Sequence, residues 1–253
     1  RLILGFGAGH TVINAHGLEN PRPITALKEA SEICRRLLDG ERVIYEGQIY
    51  RLPAPGVKLR FSVARSGIPM YFGTMGPRTL KRVARVADGV KYSVFTSPAF
   101  ARKCMLDLKE ALAGTARSIE DLDTSCYIIF SVDRDRDAAR NAAKPLVSHY
   151  LRQIPDMTRY EYAGLDVPRI QVLQDELRTA FLDGKFENAI ANIPDDVVDS
   201  LAVTGTPDEC VEKLKGYSSV GIKTPVLYQV LGPNRIAAID IIADYIRPKL
   251  LAE

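Results

Sequence analysis

Strands and helices alternate along most of this chain, and that order constrains its fold more than any other feature. The helices are marked by caps, as where Ser97-Pro98 and the capping box Thr206-Pro207-Asp208-Glu209 begin amphipathic stretches. Such alternation predicts a parallel sheet, either an open doubly wound sheet or a (β/α)8 barrel of the TIM type. The core strands that we predict are residues 2–7, 70–72, 90–95, 126–132 and 226–230.

The number of core strands favours an incomplete barrel. A complete barrel has eight βα units in about 250 residues, whereas this chain of 253 residues shows five core strands. At about 30 residues per unit, three further units correspond to roughly 90 residues upstream. The chain also begins at Arg1, without Met, and enters an apolar strand at once. We therefore expect an α/β barrel that is truncated at its N-terminus to about five strands.

Two segments are predicted to lie outside the core of a single partial barrel domain, residues 1–253. Residues 41–53 are predicted to form a surface hairpin that turns at Glu46-Gly47. Residues 136–202 carry helical patterns broken by prolines and show no core strand. We therefore predict a helical insertion there, before the last strand.

Composition and charge exclude several classes of protein. Lys plus Arg number 34 and Asp plus Glu number 31, and these charges are interspersed, so we expect no nucleic-acid partner. No apolar run approaches the roughly 18 residues that span a bilayer, so we expect no membrane partner. The four cysteines form no C-x-x-C pair, and the three histidines give no zinc-type spacing. These counts predict reduced thiols in a cytoplasmic protein and no metal site.

A glycine-rich segment, Gly5-Phe6-Gly7-Ala8-Gly9, ends the first predicted strand. A dinucleotide-binding fingerprint is G-x-G-x-x-G running directly into a helix, but here His10 follows and the next predicted helix begins near Pro23. Three interpretations stay open. The glycines form an NAD-binding turn, or they only permit a tight exit from the strand, or they form a wall that a cofactor approaches closely.

A second glycine-containing loop, Gly73-Thr74-Met75-Gly76-Pro77-Arg78, follows the strand at 70–72. Pro77 suits the first turn of a helix, and N–H groups at a helix N-terminus attract anions. Thr74 and Arg78 add donors to the same loop. The hexapeptide therefore predicts a phosphate site at the carboxyl end of a strand, with a plain turn that carries a surface arginine as the alternative.

Several stretches of the chain resemble the luciferase-like monooxygenase superfamily. This superfamily includes flavin-dependent monooxygenases and deazaflavin-dependent reductases such as methylenetetrahydromethanopterin reductase. The resemblance implies a TIM-type barrel with a helical insertion between strands 7 and 8, and it places the start of this chain at strand 4, without strands 1 to 3. The stretches are Leu4 to His10, Tyr45-Glu46-Gly47-x-x-Tyr50-x-Leu52, Ile68 to Pro77, Ala87-Asp88-Gly89, Thr204-Gly205-Thr206-Pro207 and Pro225-Val226-Leu227-Tyr228.

The resemblance also implies a cofactor, either flavin mononucleotide (FMN) or the deazaflavin coenzyme F420, and leaves the choice open. The loop from Met75 to Arg78 matches the family segment that holds the cofactor phosphate, with Thr79 beside it. Ala8 and Gly9 match residues that line the tail and ring of the cofactor. The cofactor-binding candidates are therefore Ala8, Gly9, Gly73, Thr74, Met75, Gly76, Pro77, Arg78 and Thr79.

His10 is the candidate for proton transfer, because a histidine titrates near neutral pH. A hydrogen bond that positions the cofactor, or a simple place on the rim, remain alternatives for it. His10 stands where deazaflavin-dependent sugar-phosphate dehydrogenases have an acidic proton acceptor, and Thr96 lies near where they have a lysine for the substrate phosphate. These two departures argue against sugar-phosphate dehydrogenase activity. The candidates that we predict for the substrate pocket are Tyr92, Ser93, Thr96 and Gln229.

The leading hypothesis for function is an oxidoreductase that uses reduced flavin or deazaflavin on a small-molecule substrate. With flavin and dioxygen it is a monooxygenase, and with deazaflavin it transfers hydride to or from a small organic substrate. The alternatives are a non-catalytic, incomplete barrel and an NAD-binding oxidoreductase of the Rossmann type. The oligomeric state stays open, with a homodimer as the candidate.

Overall fold

A computed structural model describes residues 2–9, 17, 22–74 and 76–252 of the chain, without the side chains of residues 77 and 78. The chain divides into two compact units. The first comprises residues 1–91 and 107–123, and the second comprises residues 92–106 and 124–253. Both units combine parallel strands with helices, so the fold is α/β, as the alternation of elements predicts.

The first unit is built on three parallel strands and a separate hairpin. Its elements are β1 (Leu4–Gly7), α1 (Pro23–Leu38), β2 (Val43–Glu46), β3 (Arg51–Val57), β4 (Met70–Gly73), α2 (Pro77–Val83) and β5 (Gly89–Tyr92), whose last residue belongs to the second unit. Strand β4 pairs with β1 on one side and with β5 on the other. Gly7 at the end of β1 is level with Gly73 at the end of β4, so the carboxyl ends of the two strands meet at one edge.

The second unit is built around a long central strand, β6. Its elements are α3 (Pro98–Leu112), which extends into the first unit, β6 (Asp123–Val132), α4 (Arg136–Gln153), α5 (Thr158–Tyr162), α6 (Val167–Leu182), α7 (Phe186–Ala191), α8 (Asp195–Leu201), β7 (Val203–Gly205), α9 (Pro207–Ser218), β8 (Thr224–Leu231), α10 (Arg235–Ile241) and α11 (Arg247–Leu251). Strand β6 pairs in parallel with both β8 and β7. Residues 136–201, all of them described, contain five helices and no strand.

The helices from α4 to α8 cover one face of β6 with a continuous apolar core. Ile129 of β6 packs in one buried cluster with Val147 of α4, Ile170 of α6 and Val198 of α8. None of these four side chains is accessible to solvent. These helices are therefore a packed part of the second unit and not a linker. Within the described ranges, no helix combines the length and the apolar character needed to cross a membrane.

Strand β7 is a short strand that the sequence does not predict. Its three residues are buried and pair with the end of β6, yet three residues are too few to show a strand pattern in the sequence. Within the described part of the chain, it joins the five predicted core strands in one parallel sheet. The predicted strand at 90–95 is too long. It ends at Tyr92, and Phe95 has a φ of +59°, which lies outside the extended β region.

The last helix also departs from its predicted pattern. The spacing of apolar residues predicts one helix with an inward face formed by Ile236, Ile239, Ile242, Ala243 and Ile246. Of these five, only Ile246 is buried, whereas Ile242 is half-buried and the other three are exposed. Residues 242–246 form a π-helical segment between α10 and α11. A π-helical turn inserts an extra residue, so a 3.6-residue period cannot hold across it.

The turn of the hairpin formed by β2 and β3 is bound to α1 by the carboxylate of Glu29. Glu29 accepts hydrogen bonds from the backbone N–H groups of Gln48, Ile49 and Tyr50 at 2.7, 3.0 and 2.9 Å. Gly47 is required beside them, because a Cβ at that position would overlap the Glu29 carboxylate. These hydrogen bonds, the one from Tyr50 above all, lower the pKa of Glu29.

Replacing Glu29 by glutamine is expected to loosen this hairpin without unfolding α1. An amide offers one acceptor oxygen, so amide exchange at Gln48, Ile49 and Tyr50 should accelerate by about tenfold. Glu32→Gln, on the same helix, is the control, since Glu32 accepts a hydrogen bond from the Tyr45 hydroxyl at 3.1 Å and not from the backbone of the turn.

The pH dependence follows from the direction of the shift. Because the pKa of Glu29 is lowered in the folded protein, the stability that Glu29 gives to the hairpin is complete above the unfolded pKa of about 4.3. That stability is lost as the pH falls through the pKa of the folded protein. Hydrogen exchange followed by mass spectrometry measures both effects. Equal protection in Glu29→Gln and Glu32→Gln would contradict this role.

Candidate cofactor and substrate sites

A glycine-lined surface lies at the carboxyl ends of β1 and β4. We call Gly5, Gly7 and Gly73 the glycine trough. A Cβ at Gly5 or Gly7 would meet no described atom within 4 Å, and at Gly73 it would meet only the Phe6 carbonyl oxygen, at 3.6 Å. All three glycines are exposed. The main chain of two strands is thus open to a ligand at this edge, where parallel α/β proteins bind their ligands.

The alternation of side chains along the strands produces the trough. On one face of the sheet, Phe6 stacks on Phe72 with ring centroids 5.3 Å apart, and Phe72 is buried. Because successive residues of a strand point to opposite faces, Gly5, Gly7 and Gly73 share the other face. In barrels that face is normally filled with bulky branched side chains. Glycines at these positions therefore leave space instead of a packed interior.

The loop after β4 brings further backbone groups to the same edge. Gly76 caps α2, and its carbonyl oxygen accepts hydrogen bonds from Thr79 N and Leu80 N, both at 3.0 Å. A Cβ at Gly76 would meet no described atom within 4 Å. Thr74 is half-buried beside Gly73. Met75 and the side chains of Pro77 and Arg78, which the sequence assigns to this site, lie outside the described residues.

Ala8 and Gly9 continue β1 beyond the trough. Gly9 is exposed and has a φ of +60°, a conformation that glycine adopts without strain. His10, the candidate for proton transfer, lies outside the described residues. The residues directly after it, 11–16, also lie outside the described part of the chain.

Asp88 holds the base of β4 in position, which explains the Ala87-Asp88-Gly89 stretch. Its carboxylate accepts a hydrogen bond from Met70 N at 2.8 Å and pairs with Arg35 of α1 at 2.7 Å. Asp88 N in turn donates to the Met70 carbonyl oxygen at 2.9 Å. These contacts fix the start of β4 and thereby the height of Gly73 at its other end.

Tyr71 and Lys91 on the trough face, and Asp123 bonded to Tyr71, carry chemistry that no motif in the sequence indicated. Tyr71 of β4 donates a hydrogen bond to the carboxylate of Asp123, and burial together with that bond raises the pKa of Tyr71 well above its usual value. Lys91 of β5 is the Cα partner of Gly73 and lies two residues after Gly89, on the same face. The available signal was the alternation itself, which sets Tyr71 and Lys91 in line with the glycines.

In the second unit, the structure contradicts the prediction for Tyr92. Its side chain is completely buried, and its hydroxyl donates to the Cys104 carbonyl oxygen of α3 at 3.2 Å. Tyr92 therefore packs under a helix and lines no exposed pocket. The prediction for Tyr92 is wrong because side chains alternate along a strand. Tyr92 therefore points to the face that α3 covers, and Ser93 points to the other face.

Ser93 and Thr96 form a tight turn after β5. The Thr96 hydroxyl donates to the Ser93 carbonyl oxygen at 2.6 Å, and Thr96 is buried while Ser93 is half-buried. Between them, the Val94 carbonyl oxygen accepts a hydrogen bond from Arg159 Nη1 at 2.6 Å. The left-handed Phe95 is packed between Tyr150 and Tyr160. The turn is thus rigidly held, and of its two predicted pocket residues Ser93 is the more accessible.

A cluster of tyrosines surrounds the end of β8, where Gln229 was the predicted residue. Tyr150 of α4 donates to the Tyr228 hydroxyl at 3.0 Å, and Gln229 Nε2 donates to the same oxygen at 3.2 Å. Tyr127 of β6 packs on Tyr228 with ring centroids 4.8 Å apart. Gln229 is exposed and has a φ of +48°, which is uncommon for a residue with a side chain and is typical of functional sites.

Sequence comparison identifies relatives over nearly the whole chain. A family model described as luciferase-like monooxygenase matches residues 1–224. The chain is 32% identical over 251 residues to a 5,10-methylenetetrahydromethanopterin reductase from Archaeoglobus fulgidus, covering 99% of this chain and 74% of that protein. It is 26% identical over 258 residues to an F420-dependent glucose-6-phosphate dehydrogenase from Nakamurella multipartita, covering 100% of this chain and 69% of that protein.

Structure comparison agrees with this assignment. The chain matches the coenzyme F420-dependent tetrahydromethanopterin reductase from Methanopyrus kandleri with a TM-score of 0.86 and 27% sequence identity. The match covers 98% of this chain and 74% of that chain.

Proposed function

Since the chain belongs to the luciferase-like monooxygenase family, we propose that it is an F420-dependent oxidoreductase that transfers hydride between the deazaflavin and a small organic substrate of the pterin type. The glycine trough is the observation that carries this proposal, because it offers two strand ends to a flat ring where bulky side chains normally fill the sheet face.

The residues of the trough fit such a cofactor. Gly5 and Gly7 leave the space of their missing side chains open, and Gly73 leaves most of it. We propose that the ring packs on these glycines and on Ala8 and Gly9, as the family pattern implies. When bound, the deazaflavin supplies the hydride chemistry, while the protein supplies binding, orientation and electrostatics.

Relatives favour F420 over FMN within this family. The reductase from Methanopyrus kandleri and the dehydrogenase from Nakamurella multipartita are both named for F420. The methylenetetrahydromethanopterin reductase at 32% identity supports a pterin-type substrate. Sugar phosphate is disfavoured, because Thr96 is buried and its hydroxyl is engaged by the Ser93 carbonyl. FMN with dioxygen remains the second candidate, because the matching family model is described as luciferase-like monooxygenase.

The substrate is proposed to contact Ser93 and Gln229, with Tyr228 as an added candidate. Tyr228 accepts hydrogen bonds from Tyr150 and Gln229, so its own hydroxyl proton remains available for a substrate oxygen or nitrogen. His10 is retained as the proposed proton carrier.

The proposal for the whole protein also includes a TIM-type barrel of which this chain forms the part after strand 3, with residues 41–53 as a hairpin and residues 136–202 as the helical insertion. It further includes a cytoplasmic location and a homodimer. Sedimentation equilibrium tests for the homodimer.

The cofactor phosphate is proposed to bind the loop from Gly73 to Thr79. Its backbone N–H groups and the Arg78 guanidinium, through charge-assisted hydrogen bonds, are the donors that the sequence provides. Arg78→Ala should therefore weaken F420 binding by about ten- to a hundredfold. It should leave binding of the phosphate-free deazaflavin chromophore unchanged.

Arg82→Ala is the matched control for this experiment, because Arg82 is an exposed residue of the same helix. Fluorescence titration of the full-length protein with F420 and with the phosphate-free chromophore gives both affinities. Equal affinity for the two ligands, with no response to Arg78→Ala, would show that the loop is only a turn.

A further inference from the structure

At its paired positions, the trough face of the first unit carries four glycines and two side chains, an aromatic ring and a lysine. Its six paired positions are Gly5, Gly7, Tyr71, Gly73, Gly89 and Lys91. Tyr71 is the only ring among these six, and it is the Cα partner of Gly5 on one side and of Gly89 on the other. The direction in which this ring lies therefore decides whether the trough is open.

Two contacts turn the Tyr71 ring away from the trough. A Cβ added to Gly89 would lie 2.7 Å from Cε1 and Cζ of Tyr71, so the ring rests directly on the glycine main chain of β5. Its hydroxyl donates to the Asp123 carboxylate. Asp123 is itself anchored beyond the start of β5, where its N–H donates to the Asp88 carbonyl oxygen at 3.0 Å.

The ring has a competing position over β1. Neighbouring strands lie about 4.8 Å apart, and a strand residue commonly adopts two χ1 rotamers, so a tyrosine ring can reach over either neighbour. Over β1 it would find no obstacle, because no described atom lies within 4 Å of a Cβ at Gly5. The Asp123 carboxylate is a charged acceptor that favours the position over Gly89.

We propose that Asp123 is a positioning residue that holds Tyr71 over Gly89 and thereby keeps the glycine trough open for the cofactor ring. The inference rests on the proposed function only for the identity of the ligand. Asp123 does not contact the cofactor itself. Gly89 is also required, because a side chain at that position would overlap the Tyr71 ring.

A labelling experiment tests the position of the ring without any cofactor. Gly5→Cys places a thiol in the trough, in a Cys34→Ser background because Cys34 is half-buried whereas the other three cysteines are buried. Adding Asp123→Ala should slow its reaction with a small uncharged maleimide by about tenfold, since a lost charge-assisted hydrogen bond frees the ring. Adding Tyr71→Ala as well should restore the rate. Asp39→Ala, at an exposed helix end, is the control.

The same variants, without the cysteine changes, are then titrated with F420. Asp123→Ala and Gly89→Ala should each weaken binding by about tenfold, and Asp123→Ala combined with Tyr71→Ala should bind like Tyr71→Ala alone. Unchanged labelling of Gly5→Cys in the Asp123→Ala protein, or weak binding that Tyr71→Ala does not rescue, overturns the inference. Labelling that responds as expected in a protein that does not bind F420 supports the inference and contradicts the proposed function instead.

Discussion

Replacing Gly7 by valine is expected to weaken cofactor binding by up to about a hundredfold while leaving the fold intact. The side chain would occupy the space that we assign to the ring. The fold should tolerate it, because a Cβ at Gly7 meets no described atom within 4 Å and valine favours strands. Gly7→Ala is the matched control and should have a smaller effect. Fluorescence titration with F420 measures the affinity, and circular dichroism checks the fold.

The size series at Gly7 separates a binding surface from a structural glycine. Binding that falls from glycine through alanine to valine, at constant thermal stability, is the expected pattern. A loss of stability that parallels the loss of binding would mean that Gly7 serves the strand and not a ligand.

Phe72→Ala is expected to lower the free energy of unfolding by about 3–5 kcal/mol. Phe72 is 1% exposed and stacks on Phe6 across β4 and β1, so its removal leaves a cavity under both strands of the trough. Phe61→Ala makes the same chemical change at a side chain that is 68% exposed, and it should cost no more than about 0.5 kcal/mol. Urea unfolding of both variants measures the difference. Equal costs would show that Phe72 does not support this sheet.

The sequence predicted the helices best where local signals are strong. Helix α1 begins at Pro23, where the sequence predicts a helix to begin, because a proline suits the first turn. It ends at Leu38, directly before Asp39-Gly40. Gly40 adopts a φ of +87°, which suits the end of a helix. The capping box at Thr206 is present with both of its hydrogen bonds. These features depend on residues close in the sequence.

The elements that were missed depend on distant contacts. Strand β7 exists because its three residues pair with β6, more than seventy positions earlier. Tyr92 was assigned to a pocket, but its position on the strand turns it towards Cys104 instead. A pattern read along the chain does not show which of two strand faces a helix covers.

The candidate site shows the same difference between features that depend on neighbouring residues and features that depend on distant contacts. The glycines of the trough were singled out from their spacing, and the cysteines were predicted to be unpaired, which the structure confirms for all four. The bond between Tyr71 and Asp123 joins residues 52 positions apart, and no motif connects them. The sequence therefore singled out the glycines of the proposed site, whereas the bond between Tyr71 and Asp123 is visible only in the three-dimensional arrangement.

The most direct test of the central claim is anaerobic hydride transfer. Reduced F420 is mixed with the full-length protein and methylenetetrahydromethanopterin, and the return of oxidised F420 is followed by absorbance. We expect that oxidation of F420 requires both the protein and the pterin, and that the Gly7→Val variant catalyses it much more slowly. Admitting dioxygen in a parallel assay should not accelerate it. No pterin-dependent oxidation of F420, together with dioxygen-dependent turnover of reduced FMN, would contradict the assignment.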